Sequence, residues 1–126
     1  MLSKIYIHYP GNEDDLLKLI AILVNGNIHK HYVNTELLEF DLWQNSFADS
    51  ESCKNTQDGF LYHSYYIDVF TSIKESQVDR SNVIIVLSHL ISELWKLNIP
   101  AVVAGDFEEE LPEQGGGLSP NVPRPH

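Results

Sequence analysis

The chain has 126 residues, 43% of them hydrophobic and 10% aromatic, which is enough to build one buried core. Eight Lys and Arg against 18 Asp and Glu give a formal net charge of -10 and a pI near 4.8. Such a field repels nucleic-acid backbones and anionic membranes, so general binding to either is excluded. We expect a single soluble domain over 1–113 and a flexible Gly/Pro-rich tail over 114–126.

The chain carries one cysteine, Cys53, in a polar stretch. A single cysteine excludes an intrachain disulfide, and this is typical of a reducing compartment. The first residues lack the apolar core of a signal peptide, and no apolar run reaches the roughly 18 residues of a membrane span. We therefore expect a cytoplasmic protein.

Hydrophobic periodicity predicts the elements of the first half of the chain. Alternation of apolar and polar residues indicates a first strand over 3–9, which Pro and Gly end. Asn12 can cap the helix that follows, and leucines and isoleucines at helical spacing predict this helix over 13–24. A second alternating run, over 32–43, predicts a strand with one wet face.

The second half begins with a polar stretch at 44–59 that is rich in turn formers and predicts a long loop. An aromatic run with little charge, at 60–70, predicts a third strand buried on both faces. Asp79 or Ser81 can cap a second helix with a wide apolar stripe. A short apolar run at 99–104 predicts the fourth strand.

The order β-α-β-β-α-β is typical of the ferredoxin-like, split β-α-β fold. We therefore predict an α+β protein with a four-stranded antiparallel sheet and two helices on one face. The usual strand order of this fold is 4-1-3-2. From it we expect the 44–59 loop and the 106–113 segment to leave the sheet at the same rim.

The predicted rim would gather carboxylates from the loop and from the segment after the fourth strand. They are Asp49, Glu51, Asp58, Asp106, Glu108, Glu109, Glu110 and Glu113. A surface of this kind can attract and hold the lysines and arginines of a partner protein. The same residues can equally form a solvated acidic turn, and a catalytic carboxylate pair such as Asp106 and Glu108 is a third interpretation.

The open face of the predicted sheet is a separate candidate surface. It is expected to carry Tyr6, Tyr62, Tyr66, His8, Phe60, Glu39 and Asp41. It lacks the basic motif of RNA-binding sheets, so self-association or protein binding is the more plausible use of these aromatics. The alternative is that the tyrosines only cover the sheet beneath loop residues.

Motifs of catalysis and of cofactor binding are missing from the sequence. Cys53 has no neighbouring histidine, and no Gly-x-Ser-x-Gly elbow is present. The glycines at 115–117 are not followed by the helix and the Lys of a phosphate-binding loop. His29 and His31 form a pair without a third ligand at a recognisable spacing. We predict no enzyme activity, no cofactor and no metal.

Two stretches carry a resemblance to a known group of proteins. They are Asp-Gly-Phe-Leu-Tyr at 58–62 and Ala-Val-Val-Ala-Gly-Asp-Phe-Glu-Glu-Glu-Leu-Pro at 101–112, with a helix bearing Leu90, Leu94 and Trp95 between them. This pattern resembles small acidic bacterial proteins that act as immunity partners of polymorphic or contact-dependent toxins. The resemblance implies a protein that binds and blocks a toxin domain and has no catalytic residue of its own.

The leading hypothesis is an immunity protein that inhibits a cognate toxin with a basic surface, a nuclease being one candidate. The first alternative is a small-molecule-binding or regulatory ferredoxin-like module that forms a homodimer through its sheet face. The second alternative is a small enzyme that uses histidines and carboxylates, for which His63 and Asp106 are the residues to replace.

Overall fold

The computed structural model describes residues 2–49, 59–105, 107–117 and 122–123. Within these residues, one antiparallel sheet of six strands packs against two α-helices. The strands are β1 Ser3–Ile7, β2 Asn27–Ile28, β3 Tyr32–Asn34, β4 Leu38–Gln44, β5 Tyr65–Thr71 and β6 Ala101–Gly105, and the helices are α1 Glu13–Val24 and α2 Arg80–Lys96. The α+β class is confirmed, but the prediction of four strands is wrong.

Both helices begin at the side-chain caps that the sequence predicts. The Asn12 side chain accepts a hydrogen bond from the backbone N–H of Asp15 at 2.8 Å, and α1 ends at Asn25 in the left-handed conformation, with φ 53°. The Asp79 side chain accepts from the N–H of Ser81 at 2.9 Å at the start of α2. These caps satisfy amides that a first helical turn leaves without partners.

The predicted second strand is divided in two by a turn. The hydroxyl of Thr35 accepts hydrogen bonds from the N–H groups of Leu37 and Leu38, at 3.3 and 3.0 Å, and the chain reverses there. β3 therefore pairs with β4 in a hairpin, and β2 adds a short sixth strand at the outer edge. A side chain that bonds to nearby amides competes with the ladder of a continuous strand.

The strand order across the sheet is β2-β3-β4-β5-β1-β6. β4 ends opposite the start of β5, where Gln44 pairs with Tyr65. β6 ends opposite the start of β1, where Gly105 pairs with Ser3, and the last residue of β1, Ile7, lies opposite Tyr65. The 44–59 loop and the 106–113 segment therefore leave from opposite rims, and the prediction of a shared rim is wrong. β5 and β6 are parallel to each other, because both pair antiparallel with β1.

One face of the sheet and the apolar stripes of both helices form a single hydrophobic core. The side chains of β1, β4 and β5 alternate between buried and half-buried, so only one face of each strand lies in this core. The expectation that the third strand is buried on both faces is therefore wrong. Its first residues also differ from the prediction, because Gly59–Tyr62 form a 3-10 turn.

The chain after β6 turns back along the outer edge of this strand. Gly115 and Gly116 are buried, and the backbone from Glu113 to Gly116 has positive φ. Trp95 donates its indole N–H to the carbonyl of Ala101 at 2.9 Å in the same region. The packed part of the chain thus extends past the predicted boundary at 113, at least to 117. In the described chain, neither helix is long and apolar enough to cross a membrane.

Candidate functional site

The sheet has one face turned away from the helices, which we call the open face. Strand register places Trp43, Tyr66 and Tyr6 side by side across it, and we call them the aromatic row. The rings of Tyr6 and Tyr66 lie 6.4 Å apart, and Phe60 packs edge-on against Tyr6 at 5.4 Å. Trp43 is 47% exposed. Large aromatic side chains that stay accessible on a sheet are typical of binding surfaces.

A pocket of about 330 Å³ opens beside the aromatic row. It is lined by Lys4, Tyr6, Asn45, Ser46, Phe47, Leu61, Tyr62 and Tyr66. Phe47 is 74% exposed and Leu61 is 42% exposed, so the rim of the pocket is apolar and open to a partner. We call this site the aromatic pocket.

The buried amide of Asn45 holds the wall of the aromatic pocket in place. Its Nδ2 donates to the carbonyl oxygens of Leu61 and His63, at 2.9 and 2.8 Å. Its Oδ1 accepts from the N–H of Phe47 at 3.0 Å. One side chain thus joins the end of β4 to the turn before β5, and the hydrogen bonds of a buried amide fix both segments.

A second row of side chains lies next to the aromatic row. Strand register places Asp41, Asp68 and Lys4 side by side, with Glu39 two residues before Asp41 on the same face, and we call these four residues the charged row. The Nζ of Lys4 lies 3.6 Å from a carboxylate oxygen of Asp68 and 4.4 Å from the ring centre of Tyr66. The charged row holds three carboxyl groups and one amine.

The pKa of Asp41 is raised from 3.8 to about 6. Partial burial is the largest cause, and a hydrogen bond with Glu39 and the negative charges of Glu39 and Asp68 contribute the rest. The Oδ1 atoms of Asp41 and Asp68 are buried and have no hydrogen-bond partner among the described residues, although the Asp68 Oδ1 is the atom that lies 3.6 Å from the Nζ of Lys4. Among the described residues, the charged row thus has three carboxyl groups for one amine, and two of its carboxyl oxygens lack a hydrogen-bond donor.

The eight carboxylates predicted as a partner-binding rim are not brought together by the described residues. Asp49 is exposed at the rim where β4 ends, and its N–H donates to the carbonyl of Tyr62 at 3.1 Å. The remaining described members, Glu108, Glu109, Glu110 and Glu113, are exposed in the segment after β6, at the other end of the sheet. Three further members, Glu51, Asp58 and Asp106, lie outside the described residues.

Two acids of the segment after β6 have local partners. Glu108 accepts a hydrogen bond from the N–H of Gly105 at 3.0 Å, and this contact fixes the turn that leaves the strand. Glu110 forms a salt bridge with Arg80 at the start of α2, and the same guanidinium lies over the ring of Phe107. Both contacts are exposed and stabilise the segment only weakly.

The histidines considered for metal binding or catalysis are spread over the fold. His8 and His63 are neighbours, with ring centres 5.6 Å apart. His29 stacks on Tyr32 at 4.4 Å, and His31 lies 3.6 Å from Glu13. Across the described part of the chain, no group of three His, Cys, Asp or Glu side chains is suited to hold a metal ion.

Alternation along the predicted second strand puts Trp43 on the same face as Glu39 and Asp41, but the sequence did not predict Asp68 on the open face. Asp68 is the one acidic residue in the aromatic run 60–70. An isolated charge in such a run is the sequence feature that could have indicated its place on the open face. Its meaning depends on cross-strand neighbours, which the sequence order does not give.

A scan against models of protein families found no match for this chain, and searches of curated proteins and of solved structures found no similar protein. The resemblance to immunity proteins, and the function that it implies, therefore stay predictions.

Proposed function

We propose that this chain is a binding protein that holds a basic protein partner on the open face of its sheet, and that the partner is a bacterial toxin which it neutralises. The observation that carries the proposal is the charged row beside an exposed aromatic row. Partial burial, a hydrogen bond with Glu39 and the charges of Glu39 and Asp68 raise the pKa of Asp41 to about 6, and among the described residues Lys4 is the amine that faces the three carboxyl groups. A lysine or arginine from a partner would supply a second positive charge.

The aromatic row gives such an interface its apolar centre. Trp43 and Phe47 are 47% and 74% exposed, and aromatic side chains of this kind are enriched among the residues that dominate binding energy. The net charge of -10 would draw a basic partner toward this surface and speed association. An inhibitor needs only such a rigid complementary surface, so the missing catalytic motifs fit the proposal.

The proposal includes a ferredoxin-like core for the fold. The order of the four longer strands, β6-β1-β5-β4, supports it. Counted along the chain, these strands are the fourth, first, third and second of the four, which is the 4-1-3-2 order, and β2 and β3 are added beside β4 at one edge. The proposal also places the protein in the cytoplasm, where an immunity protein would meet its toxin.

The acids predicted from the sequence become a second candidate contact, at the segment after β6. Two matched variants separate the two surfaces, because each removes three negative charges without reversing any. The open-face variant is Glu39→Gln, Asp41→Asn and Asp68→Asn. The segment variant is Glu108→Gln, Glu109→Gln and Glu110→Gln.

The test begins with affinity capture of the partner from the native cell at low and high salt, followed by titration calorimetry of the captured protein with each variant. We expect the open-face variant to lose at least about tenfold in affinity, and the segment variant to bind like the wild type. Coexpression of the wild-type chain should protect cells from the toxicity of the captured protein. An open-face variant that binds as tightly as the wild type would contradict the proposed surface, and a captured protein without toxicity would contradict the inhibitor role.

A small-molecule-binding module is a second candidate, and the aromatic pocket favours it. Its volume of about 330 Å³ falls within the range of small-ligand sites, about 300–1,000 Å³. A metabolite that raises the melting temperature in the absence of any protein partner would support this candidate.

A further inference from the structure

The aromatic pocket has the features of a cation site. Rings of Tyr6, Tyr62, Tyr66 and Phe47 line it, and the faces of such rings attract ammonium and guanidinium groups. The charged row lies next to the aromatic row on the same face of the sheet, and in it Asp68 lies beside Lys4. The charged side chain that lines the pocket is Lys4, and the carboxylate of Asp68 lies next to it, outside the pocket lining.

The chain already holds one cation of its own at the edge of this pocket. The Nζ of Lys4 lies 4.4 Å from the ring centre of Tyr66 and 3.6 Å from the carboxylate of Asp68. This internal contact places an ammonium group against an aromatic ring and a carboxylate at the same time. The side chain of Lys4 is 31% exposed, so an incoming group can displace it.

We infer that the aromatic pocket binds an arginine side chain of the partner, and that Lys4 competes with this arginine for Tyr66 and Asp68. The inference rests on the proposed function and names the contact that its interface makes. A guanidinium is flat, stacks on aromatic rings and pairs with carboxylates through two donors, so it suits this wall better than a compact ammonium does. An anionic ligand could pair with Lys4 but would bring a further negative charge next to Asp68, and a neutral aromatic ligand would leave the carboxylates of the charged row unbalanced.

The volume of the pocket agrees with an occupant of this size. About 330 Å³ lies at the lower limit of small-ligand sites, which suits one long side chain and some water rather than a nucleotide-sized cofactor. The apolar side chains of Phe47 and Leu61 at the rim can pack against the methylene groups of an arginine.

The test uses small probes and needs no partner protein. N-acetyl-arginine methylamide is titrated into the full chain, and the aromatic NMR signals of Tyr6 and Tyr66 are followed. N-acetyl-citrulline methylamide, which has nearly the same shape but no charge, is the control probe. We expect saturable shifts of both tyrosines with the arginine probe and none with the citrulline probe.

Variants of Lys4 and Tyr66 test the competition directly. Lys4→Gln should tighten binding of the arginine probe roughly two- to fivefold, because it frees the Tyr66 ring and the Asp68 carboxylate. Lys96→Gln removes the same charge at the far end of α2, next to Glu93, and should leave the affinity unchanged. Tyr66→Phe keeps the ring face and should retain binding, whereas Tyr66→Leu should abolish it.

Several results would overturn the inference. Equal binding of the two probes would show that charge is not recognised, and weaker binding to Lys4→Gln would show that Lys4 belongs to the site. The absence of saturable shifts with the arginine probe would also refute it, even if a basic partner binds the open face. Conversely, if the probe binds as expected but no basic protein is captured from the cell, the cation site stands and the proposed function fails.

Discussion

Asp41 shows how a single position on the open face departs from ordinary surface chemistry. It shares one face with Glu39 on its own strand and with Asp68 across the ladder, and the Lys4 amine of the same row lies beside Asp68. Partial burial, together with the neighbouring carboxyl groups of Glu39 and Asp68, raises the pKa of Asp41 to about 6. The folded chain therefore binds a proton that the unfolded chain releases near pH 4.

This proton makes a prediction about stability against pH. Because the pKa of Asp41 is higher in the folded state, its ionisation destabilises the fold as the pH rises from about 4 through 6. Asp41→Asn keeps a neutral hydrogen-bond donor toward Glu39 and removes the charge. We expect it to increase the free energy of unfolding by about 1 kcal/mol at pH 7.5, with water screening limiting the gain, and to change it little at pH 4.

Urea denaturation at the two pH values measures this difference. Glu109→Gln removes a charge from an exposed position outside the charged row and is the matched control; it should have no pH-dependent effect of this size. A loss of stability at pH 7.5 in Asp41→Asn would show that the ionised carboxylate is favourable where it lies.

At the scale of elements, the segment after β6 covers an edge that would otherwise be open. β6 is the last strand of the sheet, and an unpaired edge invites pairing with other chains. Gly115 and Gly116 turn the backbone against this strand with φ of 81° and 92°. A Cβ at Gly115 would lie 2.6 Å from the carbonyl oxygen of Val103. Only glycine combines that conformation with that close approach.

Gly115→Ala should therefore destabilise the protein by about 2–3 kcal/mol, through backbone strain and the clash with Val103. It should also increase aggregation, because the edge of β6 becomes accessible. Gly117→Ala is the matched control, since φ is -62° there and the nearest atom to an added Cβ lies at 3.7 Å. It should stay within about 0.5 kcal/mol of the wild type. Chemical denaturation and light scattering measure both effects, and equal stabilities of the two variants would contradict this role of the segment.

The helices were predictable from the sequence, whereas the division of the strands was not. Asn12 and Asp79 act locally, through amides two or three residues away, so their effect is visible in the sequence. The break between β3 and β4 depends on the Thr35 hydroxyl, and threonine is common within strands. Asn27–Ile28 lie between the predicted first helix and the predicted second strand, and they form a strand only because β3 is present beside them.

The candidate site was predictable only in part, for a reason of topology. Glu39 and Asp41 follow from alternation within one strand, but Asp68 joins them through the pairing of β4 with β5. The shared rim was wrong because it requires β6 to run the same way as β4. In an antiparallel sheet of order 4-1-3-2 the fourth strand already runs opposite to the second, so the expected fold itself places the two segments at opposite rims.

At the scale of the whole molecule, net charge separates the proposed binder from a homodimer through the sheet face. Two copies that meet through their open faces would bring two charged rows together and add to the mutual repulsion of chains with a net charge of -10. The aromatic rows alone would favour such a contact. The balance between charge repulsion and apolar attraction depends on pH, because protonation of the carboxyl groups removes the repulsion and leaves the apolar contact.

We therefore expect a monomer at pH 7.5 and low salt, and self-association as the pH falls toward the pI of 4.8. Sedimentation velocity at pH 7.5 and pH 5 measures this. Phe47→Ser should abolish the association at pH 5, because Phe47 is 74% exposed beside the aromatic row. Ile22→Ser changes a residue of similar exposure, 76%, on α1 and should have no effect. A stable dimer at pH 7.5 that Phe47→Ser disrupts would instead favour the dimeric module, because the open face would then be occupied by a second copy before any basic partner arrives.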